Sequence, residues 1–299
     1  MRDLRVRHRV SGTVLAVDVG GTKIAAGVVD ADGALLRSVS VPTPRHEDPE
    51  AVFTALLSAV RRADAAEALA VGVGCAGPMT AGGATVSPLN IPGWTGFPLL
   101  ARLRKHLDLP VVVDGDAKAL AVGEGWRGAG AGVSSFLAMV VSTGVGGGLV
   151  VDGRLLHGAD GNAGHVGHVV VVPDGAVCPC GGRGCLEAEI SGTAIARRTG
   201  APAQKAPLAE VLRAGKLLGQ GLASVVNLLD LQVVAIGGSV ALGYGGPFFS
   251  AVARGLHTTS RLGFTQGCRI VPVGLGADGP LVGAGALAWQ ALGHDVGTR

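Results

Sequence analysis

Val14-Leu-Ala-Val-Asp-Val-Gly-Gly-Thr-Lys23 is a β-branched run that ends on two glycines and a threonine. A second apolar run, Ile24 to Val29, follows at once and closes on an Asp32-Gly33 turn. The pattern predicts a hairpin followed by a third strand. Gly20, Gly21 and Thr22, with Lys23 behind them, present free N–H groups and a hydroxyl, a seat suited to phosphate oxygens. Asp18 stands at the mouth of this turn, where a carboxylate can hold Mg2+ directly or through water. An ordinary hairpin would read the same way. Repetition favours the phosphate reading: Met139-Val-Val-Ser-Thr-Gly-Val-Gly-Gly-Gly-Leu-Val-Val-Asp-Gly-Arg154 has the same plan, about 125 positions on. Ser142, Thr143, Gly144, Gly146 and Gly147 would make a second grip. A third strand, Val233-Val-Ala-Ile, ends on Gly237 and Gly238.

Between the second and third segments lies a different kind of stretch. Gly164 to Glu187 holds Cys178, Cys180 and Cys185 in a Cys-x-Cys-x4-Cys spacing, with His165 and His168 just upstream. Three thiolates and one imidazole complete a tetrahedral structural zinc site. Unligated cysteines in a glycine-rich loop, or a disulfide, are the alternatives. A short Cys/His cluster without a secretory signal favours metal.

His168, Cys178, Cys180, Cys185 and Glu187 resemble the zinc signature of the ROK family, the bacterial glucokinase-like sugar kinases and their repressor relatives, and the resemblance runs from about Val14 to Gly285. It implies an α/β, two-domain actin-like ATPase/hexokinase (ribonuclease H-like) fold with a cleft between domains. It also implies that His168 is the zinc-ligating histidine and touches the sugar, and that Glu187 touches the sugar. Gly237 and Gly238 match the family's adenosine segment. Gly77 opens a loop that lies along the sugar in the family, and Asn90 to Trp94 match its Asn-x-Pro-Gly-Trp. Cofactors would be Mg2+ with ATP, plus structural Zn2+; a homodimer is a further implication.

Val111-Val-Val-Asp-Gly-Asp116 ends a strand and enters a helix. Asp116 could simply cap that helix. The resemblance, with its register anchored on Gly123-Glu124, puts Asp116 at the position of the catalytic base, which would accept the proton of a sugar hydroxyl as it attacks the γ-phosphoryl group. Three positions depart from the family pattern. Gly115 stands for a sugar-binding asparagine, His165 for a sugar-binding glutamate, and Lys118 for an asparagine. Ring recognition is therefore expected to differ, with Asp114 as a carboxylate that could face an ammonium group, unless Asp114 or water restores the lost contacts.

The chain has 299 residues, 48% hydrophobic and 16% charged, with a net charge of +3. That is enough for two domains or one large one. No apolar run reaches the ~18 residues of a membrane helix, and scattered basic residues give no nucleic-acid footprint, so a cytoplasmic protein is expected. Residues 1–13 read as a disordered basic lead, residues 14–115 plus 279–299 as a small domain, and 116–278 as a large one carrying the zinc loop. Helices are expected over 49–60, 96–107, 207–229, 246–261 and 280–292, and buried strands near 70–75, 109–113 and 269–273. Cys75 and Cys268 read as buried apolar residues. The 51 glycines suggest backbone approaching a ligand.

The favoured function is transfer of the ATP γ-phosphoryl group to the primary hydroxyl of glucose or a glucose-like ring. The alternative is a kinase for a modified sugar, such as an aminated glucose (kanosamine) or a C7 cyclitol. A non-catalytic sugar-sensing regulator ranks last, since about a dozen residues ahead of the first phosphate strand are too few for a three-helix DNA reader.

Overall fold

The computed structural model describes residues 12–44 and 48–298. The basic lead therefore falls outside the described residues up to Ser11, and Thr13 already belongs to a strand. One sheet holds β1 (Thr13–Val19), β2 (Lys23–Asp30), β3 (Leu35–Pro42), β4 (Ala68–Cys75) and β5 (Val111–Gly115), in the order β3-β2-β1-β4-β5. The other holds β6 (Phe136–Val141), β7 (Val145–Val151), β8 (Arg154–Leu155), β9 (Val233–Gly237) and β10 (Arg269–Pro272), in the order β8-β7-β6-β9-β10. The two orders are the same plan. In each, a three-strand antiparallel meander is extended by two parallel strands beside its first strand.

Eight helices of the described chain cover these sheets: α1 (Pro49–Arg62), α2 (Leu99–His106), α3 (Asp116–Arg127), α4 (Leu186–Ile190), α5 (Gly192–Thr199), α6 (Leu208–Leu229), α7 (Ser239–Thr259) and α8 (Gly279–Ala291). Val52, Phe53 and Leu56 of α1 with Leu99 and Leu103 of α2 bury one face of the first sheet. Leu218, Leu222, Phe248 and Val252 of α6 and α7 bury the outer face of the second. Helices α3 and α8 lie between the sheets, in one core with Val14 and Ala70 on one side and Phe136 and Val233 on the other. Each fully buried aliphatic or aromatic side chain contributes about 1.5–3 kcal/mol, so all three cores are substantial.

The α3–α8 layer explains part of the glycine content. A Cβ on Gly72 of β4 would stand 1.8 Å from the Ala284 carbonyl oxygen of α8, so only glycine lets this helix lie against the strand. Many glycines thus serve helix packing rather than a ligand, contrary to the reading from composition alone.

Element edges moved where proline and glycine intervene. Helix α2 starts at Leu99, because Gly96 adopts φ 64° and Pro98 precedes the first turn. Strand β5 runs on through Asp114 and Gly115, in register with Gly74 and Cys75 of β4. Helix α7 begins at Ser239 rather than Gly246, and a kink at Gly245 just ahead of Pro247 divides it. Asp48 caps α1 as expected, accepting from Glu50 N–H at 2.9 Å.

Candidate active site

Both hairpin turns open toward the carboxyl ends of the parallel strands, where α3 begins. Gly115 is the N-cap of α3 and Asp116 its first residue, which argues against a capping role for the Asp116 side chain. Its Oδ1 accepts from Ala117 N–H at 2.7 Å. Burial raises the Asp116 carboxyl above the usual range, outweighing the Ala117 N–H and its own N–H, which pull it down. Asp18 is also raised, to about 7, first by burial and then by the charge of Asp116, against a lowering pull from Lys23. The two carboxylates thus feel each other across the head of β4, and a divalent cation would relieve their repulsion. Behind them sits Cys75, fully buried, its thiol driven well up by burial and then by both carboxylates.

An open cleft, about 370 Å3 of empty space with its solvent-filled mouth counted in, is lined by Gly77, Met79, Gly115, Asp116, Lys118, Gly146, Gly147, Asn162 and His165 with their neighbours. Of the expected sugar contacts, Gly77, Gly115, Asp116 and His165 are in this wall; Asn90, His168 and Glu187 are outside it. Each of those three is engaged elsewhere. Asn90 packs on Gly21, where an added Cβ would meet its Cβ at 2.8 Å. His168 turns to the cysteines, and Glu187 Oε2 accepts from Val145 N–H at 2.8 Å. Ile91 and Trp94 are core residues, Trp94 stacking on Phe97 at 4.5 Å. They anchor the loop rather than line the cavity. His165 is depressed below the ordinary imidazole value, by burial first and then by His168, so at neutral pH it offers one donor and one acceptor.

Asp114 corrects an expectation. Its carboxylate does face an ammonium group, but that group is Lys118 Nζ, at 2.5 Å from Oδ1. Oδ1 also takes the Gly115 N–H at 2.7 Å, and His157 Nδ1 stands 3.7 Å from Oδ2. The sequence could not reveal this, because the i, i+4 pair straddles the end of a strand and the start of a helix.

The second turn is braced from outside its hairpin. Gly192 N–H donates to Ser142 O at 2.7 Å, Thr193 Oγ1 to Thr143 O at 3.0 Å, and Ser142 Oγ lies 3.0 Å from Ser239 Oγ. Ser239 starts α7 directly after Gly237 and Gly238, so it joins the second and third glycine-ended strands. Gly238 has φ 92°, and a Cβ there would meet Val141 O at 2.4 Å, which makes it a required glycine. Sequence reasoning missed Ser239 and Thr193; a serine after Gly-Gly at a helix start was the available signal for the first. Asn162 was also missed. Its amide donates to Met79 O at 2.8 Å and accepts from Met79 N–H at 3.0 Å, pairing the 157–164 loop with the Gly77 loop.

The four expected zinc ligands come together. The ligand atoms of His168, Cys178, Cys180 and Cys185 all lie within 4.8 Å of one another. His168 Nδ1 is 3.6 Å from Cys178 Sγ, and Cys180 Sγ is 3.9 Å from Cys185 Sγ. A tetrahedral Zn2+ with Zn–S of ~2.3 Å and Zn–N of ~2.1 Å places its ligands ~3.6–3.8 Å apart, so the cluster fits the ion. Burial pushes Cys178 up to about 12, and a divalent cation is the partner that would hold three thiolates together. Cys75 and Cys268 stand apart and buried. Below the cluster Glu189, 3% exposed, accepts from Ala176 N–H at 2.9 Å, Arg198 at 2.7 Å and Arg213 at 3.3 Å. Burial works against its charge, but these donors win and hold its carboxyl below the ordinary range.

The sequence pattern of the ROK family matches residues 14–291. The chain belongs to the ROK family. This ROK protein is 40% identical over 226 residues to a glucokinase of Streptomyces coelicolor, spanning 75% of this chain and 70% of that one. It is 36% identical over 250 residues to an N-acetylmannosamine kinase of Escherichia fergusonii, spanning 78% and 85%. The crystal structure of a ROK glucokinase from Streptomyces griseus, in complex with glucose and AMPPNP, superposes with a TM-score of 0.84 at 32% identity, covering 93% of this chain and 100% of that one. The fold is that of the actin-like ATPases and hexokinases.

Proposed function

We propose that this ROK protein is an ATP- and Mg2+-dependent kinase that phosphorylates the primary hydroxyl of glucose or a glucose-like ring. The observation that carries the reading is Asp116, a carboxylate with raised proton affinity in the cavity wall, beside Asp18 and two phosphate-type turns. The named activities of the glucokinase and N-acetylmannosamine kinase relatives support it.

In this reading Asp116 accepts the hydroxyl proton as the sugar oxygen attacks the γ-phosphoryl group. Its contact with Ala117 N–H aims the carboxylate, and its raised proton affinity suits a base working near neutrality. The turns 20–22 and 142–144 take the phosphate oxygens through backbone N–H groups, so positioning supplies most of the rate. Asp18 would hold Mg2+ directly or through water, and the ion would supply neutralisation of charge on the phosphates. Zn2+ on His168, Cys178, Cys180 and Cys185 would be structural, a closed four-ligand site that keeps the loop of Glu187 in shape. A small lobe of residues 14–115 plus 279–299 closes on a large lobe of 116–278, excluding water from the phosphoryl group.

A second reading keeps the reaction and changes the ring, and Gly115 and His165 favour it. The wall lacks a side chain at Gly115, where a Cβ would stand 3.5 Å from the Lys118 stem, and His165 is uncharged. A C7 cyclitol, or an aminated glucose whose amine lies clear of Lys118, would then compete with glucose. A screen of kcat/KM over hexoses, amino sugars and cyclitols tests both readings. Glucose ahead by tenfold or more, about 1.4 kcal/mol in transition-state binding, leaves a plain glucokinase. ATP-dependent turnover of none of these rings rejects the kinase.

A further inference from the structure

We propose that Lys118 determines ring specificity: its ammonium group donates to an uncharged oxygen of the sugar ring and repels rings that carry an ammonium group. This deepens the kinase reading and rests on it. Lys118 is 5% exposed, yet it forms part of the cavity wall beside Gly115, Asp116 and His165. Two of its three N–H donors are taken, one by Asp114 Oδ1 at 2.5 Å and one by Gly161 O at 2.9 Å. The third has no partner among the described residues. A donor of a buried cation left unpaired is costly, and the open side of the cavity is where an oxygen can meet it.

Asp114 balances the charge of Lys118 without being part of the cavity wall. A substrate therefore meets the cation and not the carboxylate. The lysine is also held in place. Gly161 O belongs to the loop that Asn162 clasps to Met79 through two hydrogen bonds, so the ammonium is fixed from the helix side by Asp114 and from the loop side by Gly161. Asp116 must face the reacting hydroxyl, so Lys118, with His165 beside it in the wall, meets the ring substituents. The substrate class that fits is a neutral, hydroxyl-rich ring, glucose or a cyclitol, rather than an amino sugar in its protonated form.

The test compares the 2-, 3- and 4-deoxy glucoses with the matching 2-, 3- and 4-amino sugars at pH 7, by kcat/KM with ATP. A deoxy analogue loses an acceptor; the amino analogue also carries a positive charge, so the pair isolates repulsion. At one ring position the amino sugar is expected to fall at least tenfold below its deoxy partner. In Lys118→Met/Asp114→Asn, which removes both charges together so that no buried carboxylate is left unpaired, that gap should close. Lys118→Gln, which keeps a donor and removes the charge, should close it too, and it serves if the double variant does not fold. Amino sugars matching or exceeding their deoxy partners at all three positions would overturn the proposal. So would a gap that survives in a folded variant. Wild-type protein that transfers phosphate to glucose but shows no gap leaves the kinase reading standing; one that phosphorylates no ring removes both.

Discussion

The two phosphate-type hairpins share a strand order and a turn chemistry, yet they are held in opposite ways. The first turn is secured from within its own sheet: Thr43, at the end of β3, donates through Oγ1 to Gly20 O at 2.6 Å and through N–H to Thr22 O at 3.0 Å. The second is secured by elements far along the chain, by Glu187 beyond the zinc cluster, by Gly192 and Thr193 of α5 and by Ser239 of α7. The first hairpin also carries a carboxylate, Asp18, set against Asp116, whereas no carboxylate precedes the second turn at the matching place. In the proposed reading one hairpin bears on the chemistry, and the other would tie nucleotide grip to the integrity of the cysteine loop.

Four perturbations test that contrast. Asp116→Ala should cost the most, about 10^2–10^4-fold in kcat, with folding and ATP binding nearly kept. In the parent enzyme the acid limb of kcat/KM should lie above the ordinary carboxylate range, because burial raises Asp116; a limb near 4 would contradict the assignment.

Zinc removal comes next. Elemental analysis should give one Zn2+ per chain, lost in Cys178→Ser but kept in Cys75→Ser and Cys268→Ser. Chelation should weaken sugar and nucleotide binding together, each by about tenfold or more, since loosening the loop frees Glu187 from Val145. The Glu189–Arg198–Arg213 network should confine the disorder to the loop, visible as local hydrogen exchange. Unchanged nucleotide affinity in the zinc-free protein would mean that the second turn is braced without the loop.

Glu187→Ala isolates the brace itself. It removes one hydrogen bond to a charged acceptor, about 1.5–3 kcal/mol, and should raise KM for ATP while leaving zinc content intact.

Asp18→Asn should lower kcat with the loss of the proposed Mg2+ carboxylate, and its effect on the stability of the nucleotide-free protein should be the smallest of the set. A carboxyl raised from 3.8 to about 7 binds its proton more tightly folded than unfolded, so it destabilises the native state increasingly as pH rises from about 4 to 7. The substitution should therefore raise the Tm of the nucleotide-free protein at pH 8 and leave it almost unchanged at pH 4. Equal shifts at both pH values would mean that Asp18 carries no costly buried charge in the native state.

The legibility of the site follows the range of its contacts. The four expected metal ligands fall within eighteen positions, and their spacing alone announced the cluster. Asp18 and Asp116 were readable because each sits where a strand meets a turn or a helix. Lys118 was visible only as an oddity. What it does depends on Asp114 one turn back and on the Gly161 carbonyl 43 positions on, and no local pattern encodes such a pairing. Glu187 was readable as part of a motif, but its contact with Val145 lies 42 positions upstream. Asn162 left no mark at all, because asparagine in a loop has too many ordinary uses.

By itself the sequence determined the repeat, the two turns, the metal cluster and the helix-leading aspartate, since β-strand alternation, Gly/Thr turns and Cys spacing are written in neighbouring residues. Only the tertiary structure decided who faces whom. It set α3 and α8 between the two sheets, brought Asp116 against Asp18, spent Asp114 on Lys118, and joined the zinc loop to the second hairpin. Those outcomes arise from packing and from the pairing of buried charges, which act between residues that meet only when the chain has folded.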